Sequence, residues 1–136
     1  MSPADAVRRA LRLLALPEPG DGTAHRVRRL DGQGLVYFLI FVPGHAALLD
    51  ERTGELLASA ETARSPLTLT EGEALSRAGL GPDARAELVW KPCRASLSMF
   101  DPLWAVTSRG RTVYVDQRGR VMEELEPKRP GGGAGA

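Results

Sequence analysis

The chain has 136 residues, of which 43% are apolar and 26% charged, a balance that supports a folded core and argues against disorder for the bulk. Eighteen Lys and Arg against 17 Asp and Glu leave a formal net charge of +1, so no global field favours nucleic acid or an acidic membrane surface. The single Cys93 excludes an internal disulfide and suits a reducing compartment.

Ser2 as N-cap, Pro3 at the first helical position and Asp5 in the first turn announce a helix carrying Val7, Ala10, Leu11 and Leu14 on one face. Its start has no signal-peptide form, and the longest apolar run, Leu35 to Val42, has strand length, so the expected location is cytoplasmic without a membrane span. The preference for Arg over Lys fits a GC-rich bacterial genome. Pro17 to Gly22 ends the helix in a loop.

Ala24 to Leu30 reads as an Arg-rich strand, and Asp31 to Gly34 as the turn into Leu35–Val42, a strand apolar enough to be covered on both faces. Pro43-Gly44 fits a tight turn into a third strand from His45, which Asp50-Glu-Arg-Thr-Gly54 interrupts before it resumes over Glu55 to Ser59. Thr70-Glu-Gly-Glu73 is a capping box ahead of a short helix with Ala74, Leu75 and Ala78 on one face. Ala84, Ala86, Leu88 and Trp90 then alternate with Arg85, Glu87, Val89 and Lys91, the pattern of a half-buried strand.

Laying Leu103–Asp116 on Tyr37–Asp50 requires no gap and superposes the turn glycines Gly44 and Gly110 and the aspartates Asp50 and Asp116. Each aspartate precedes a further turn glycine, Gly54 or Gly119, and these residues are read as structural turn positions. Asp50-Glu-Arg-Thr-Gly-Glu55, with its shortened counterpart Asp116-Gln-Arg-Gly119, resembles the PepSY family, whose unit is a helix followed by a three-stranded meander with an interrupted last strand. The expected fold class is therefore α+β, with two repeated PepSY-like units of one helix plus a three-stranded antiparallel meander packed as one body. The units span 1–62 and 63–126, followed by a disordered Gly-rich tail over 127–136. The resemblance implies a non-enzymatic binding or regulatory module, in the family often one that regulates peptidases; small cytoplasmic immunity proteins that neutralise a toxin show a similar pattern.

Chemistry-bearing signatures are sparse. His25, His45 and Cys93 lack metal-ligand spacing, so neither metal nor cofactor is expected. Asp50 with Glu51, and Glu123 with Glu124, are neighbours on extended backbone and point to opposite faces, which leaves no convergent acid–base pair. No nucleophile elbow, phosphate loop or HExxH is present, so no catalytic residue is assigned; an enzyme would need an unrecognised site. Arg26, Arg28 and Arg29 form a basic patch without interleaved aromatics, read as a solvated strand face and not a nucleic-acid surface. The expected partner is a protein or peptide, met by Arg94, Met99 and Phe100 in the segment Pro92–Pro102. The competing reading of that segment is a strand extension that packs Leu97 and Met99 into the core.

Overall fold

The computed structural model describes residues 1–18, 20–32 and 34–127. The tail expected to be disordered lies, beyond Pro127, outside the described residues. The chain divides into two compact units, Met1–Thr68 and a second beginning at Leu69.

In the first unit, α1 (Pro3–Leu13) starts at a reciprocal capping box: the Ser2 hydroxyl accepts from the Asp5 amide, and the Asp5 carboxylate accepts from the Ser2 amide. Its apolar face, Ala6, Val7, Ala10 and Leu11, packs on Phe38, Ile40, Val42, Ala47 and Leu49. Those residues come from β2 (Val36–Val42) and β3 (His45–Asp50), joined by a turn at Gly44. β2 lies between β1 (Thr23–Arg29) and β3. Tyr37, Phe38, Leu39 and Ile40 are all buried, which accounts for the unbroken apolar run: both faces of β2 are covered.

The last strand of this unit corrects the expected fold class. The chain does not resume its direction after Asp50–Gly54. It reverses, and β4 (Leu56–Glu61) pairs antiparallel with β3, from His45 opposite Glu61 to Leu49 opposite Leu56. The physical cause is the turn itself. The Asp50 carboxylate accepts from the amides of Arg52 at 2.8 Å and Thr53 at 3.0 Å. Gly54 takes φ 73°, a left-handed conformation that costs glycine nothing, and the Asp50 amide donates across to the Glu55 carbonyl. One interrupted strand is thus two strands joined by a hairpin.

The second unit opens with Leu69 and α2 (Glu71–Ala78), capped by Thr70 and Glu73 as expected and closed at Gly79. α2 packs on β5 (Arg85–Trp90), β6 (Leu103–Ser108) and β7 (Arg111–Val115). These strands and β8 (Val121–Met122) form an antiparallel run in the order β5-β6-β7-β8. Among the described residues the structure is therefore mostly sheet, with eight strands and only two short helices, four strands following each helix; two repeated helix plus three-stranded units are not what the chain forms. Among the described residues no helix is long and apolar enough to cross a membrane.

Two indoles and one amide tie the second unit together. Gln117 is buried, its Oε1 accepting from the Leu69 amide at 2.8 Å and its Nε2 donating to the Pro102 carbonyl at 3.0 Å. Trp104 Nε1 donates to the Leu69 carbonyl at 2.9 Å, and Trp90 Nε1 to Ser96 Oγ at 3.0 Å. Such groups are tolerated in a core because each has its partner.

Candidate functional site

Between β5 and β6 the chain makes neither a tight hairpin nor a strand extension. Pro92–Pro102 folds into a compact loop organised around Ser96. The amides and carbonyls of Cys93 and Ser96 exchange two hydrogen bonds at 3.0 Å. The buried Ser96 hydroxyl receives the Trp90 indole and lies 2.6 Å from the Asp101 carbonyl, to which it donates. Further along, the Asp101 amide reaches the Ser98 carbonyl and the Phe100 amide the Ser98 hydroxyl. The backbone is consequently fixed while the side chain at its tip is not covered: Leu97 is 70% exposed. That overturns the reading in which Leu97 packs inward.

The loop is clamped from outside by the turn between β7 and β8. Asp116, whose side chain is fully buried, accepts through Oδ1 from the amides of Arg118 and Arg120, both at 2.9 Å, and through Oδ2 from Arg120 Nε at 2.9 Å. Gly119 completes the turn at φ 85°, where a side chain would also press on the Arg77 guanidinium. Arg118 then reaches back to the loop, donating to the Asp101 carboxylate at 3.2 Å and to the Ala95 carbonyl at 3.1 Å. Burial raises the Asp101 pKa, and the Arg118 charge offsets only part of that rise. Burial also pushes Asp116 up, but the hydrogen bonds from Arg120 and Arg118 outweigh it and leave its pKa lowered.

Beside this clamp runs a groove of about 390 Å³ lined by Arg94, Ala95, Arg120, Val121, Met122, Glu124 and Glu126. Arg94 holds its far wall: its amide donates to the Glu126 carbonyl at 2.8 Å and its guanidinium to the Glu126 carboxylate at 2.9 Å. The groove is thus bordered by β8 at Val121 and Met122 and by the charged residues Arg94, Arg120, Glu124 and Glu126.

Of the three residues expected to meet a partner, Arg94 lines the groove, whereas Met99 and Phe100 sit half-buried in the loop outside that lining. The sequence reads Leu97 only as a core candidate and Glu124 only as a neighbour of Glu123, and it singles out Arg120 for nothing. An apolar residue flanked by serines and a charge after a turn carry no signal of exposure by themselves. Asp50 and Gly54 shape the β3–β4 turn, and Asp50 borders a second groove, of about 400 Å³, with Met1, Leu35 and Arg52. Arg26 pairs with Glu51 and Arg29 with Asp31, so acidic neighbours already engage much of the basic patch. Glu123 is drawn to Arg111 and away from Glu124. His25 is half-buried on β1, and burial lowers its pKa; His45 begins β3, and Cys93 is buried. Among the described residues no group of three or more His, Cys, Asp or Glu is arranged to hold a metal ion.

No family model, curated protein or solved structure matches the chain.

Proposed function

We propose that the protein is a non-catalytic binding module that engages a protein or peptide partner through the Pro92–Pro102 loop and the groove beside β8, acting in the cytoplasm, where the lone Cys93 thiol stays reduced. The observation that carries this reading is Leu97, 70% exposed between Ser96 and Ser98, residues that hydrogen bonds to Cys93, Phe100 and Asp101 hold in place. A large apolar side chain left in water adds little to the fold, and because its neighbouring backbone is already ordered, a partner that covers it orders only the side chain. A peptidase held in check, as the PepSY resemblance implies, or a toxin neutralised would each be a partner of this class. The reading predicts that tagged protein retains a specific partner from its native cells and that Leu97→Asp, at an exposed site outside the core, loses that partner at least about tenfold with its melting temperature unchanged. Equal retention by the variant would refute it.

A further inference from the structure

The outermost strand of the first unit leaves an edge that the fold does not protect. Among the described residues β4 pairs with β3 alone. The Thr62 amide donates inward to the Gly44 carbonyl, and alternation along the strand therefore turns the amides of Ser59 and Glu61 outward. Natural edges are blunted by lysine, proline, a bulge or shortness. β4 has six residues, and its interior, Ala58-Ser59-Ala60, contains no cation and no proline. The register irregularity, Leu48 opposite Ala58 but Leu49 opposite Leu56, leaves Leu57 as the extra residue of β4, so it ends just before that interior. The outermost strand of the second unit, β8, is by contrast two residues long.

We propose that β4 pairs antiparallel with β4 of a second copy of this chain, about a two-fold axis that places Ala60 opposite Ala60. Self-pairing is favoured by the distribution of charge and side-chain size. A two-fold axis normal to the sheet allows only registers in which a residue faces its own equivalent. Centring on Ala58 sets Glu55 against Glu61 at both ends, and centring on Ser59 sets Glu61 against Leu57. Centring on Ala60 sets Glu61 against Ser59, without like charges, and the small, exposed Ser59 and Ala60 let the backbones approach. The outward amides of Ser59 and Glu61 then face each other as hydrogen-bonded pairs.

Light scattering on the full chain, from micromolar to about 1 mM because a single strand edge buries less than a standard interface, reads the outcome. The wild type is expected to rise toward twice the monomer mass. Ser59→Pro removes an outward amide that β3 does not use, so it should remain monomeric with unchanged circular dichroism. Ser59→Lys faces Glu61 of the second copy twice and should tighten association roughly three- to tenfold, whereas Ser59→Glu should weaken it by a similar factor. A wild type that stays monomeric, a Ser59→Pro variant that associates like the wild type, or equal weakening by lysine and glutamate would overturn the proposal.

Discussion

Truncating Asp116 to alanine is expected to destabilise the protein by roughly 2–4 kcal/mol, as hydrogen bonds to a buried charged group are worth about 1.5–3 kcal/mol each and the donors left behind lose part of that. The Asp116 carboxylate satisfies the amides of Arg118 and Arg120 and holds the Arg120 guanidinium, all from a fully buried position. Asp50 does the formally similar task for Arg52 and Thr53, but on a turn that water can reach. Asp50→Ala should therefore cost less than about 1 kcal/mol, since solvent replaces the lost acceptor. Chemical denaturation of both variants checks the contrast. Equal costs would mean that burial of Asp116 is not what sets its value.

The same residue predicts a pH signature. A carboxyl whose pKa is lower in the folded than in the unfolded chain adds stability that is fully present above the unfolded value and is lost as pH falls through the folded one. Asp116 is shifted in that sense from 3.8, so the wild type should lose stability on acidification below that range and Asp116→Ala should lose less. Asp101, shifted upward by burial, has the opposite sign: its contribution is present below its unfolded value and is lost as pH rises through the folded one. The Asp116 charge also raises the Asp101 pKa, so Asp116→Ala changes both groups and the difference between the pH profiles reports the coupled pair.

Phe38→Ala should be the most damaging core change, at about 3–5 kcal/mol, because it removes a large ring and leaves a cavity that the surrounding backbone cannot close. Phe38 is fully buried on β2, opposite Leu49 of β3, beneath the α1 face formed by Ala6, Val7, Ala10 and Leu11. Against a total stability of about 5–15 kcal/mol, that loss consumes a large fraction. A urea midpoint displaced by less than the equivalent of about 1 kcal/mol would show that this cluster is not the core of its unit.

Local chemistry was legible wherever it was sufficient. Ser2, Pro3 and Asp5 marked α1, Thr70 and Glu73 marked α2, and Asp50, Gly54, Asp116 and Gly119 marked turns, because caps and left-handed positions depend on a few consecutive residues. The reversal after Gly54 was not legible. An Asp-capped turn followed by Leu56 and Leu57 reads the same whether the strand continues or folds back, and the pairing of β4 with β3 decides between them. Ser96 and Gln117 were missed for a related reason: each is polar, and only the indole of Trp90 or the backbone of Leu69 and Pro102 makes its burial sensible. The exposure of Leu97 follows from the Ser96 knot, which no periodicity announces.

Photo-crosslinking from Leu97 tests the binding account most directly, with a probe at Leu13, an exposed residue of α1, as the control. The account predicts a discrete crosslinked partner from position 97 in the native cell, absent from position 13 and lost when Glu124→Arg reverses the charge at an exposed residue of the groove. Crosslinking of the same partner from Leu13 but not from Leu97 would contradict it.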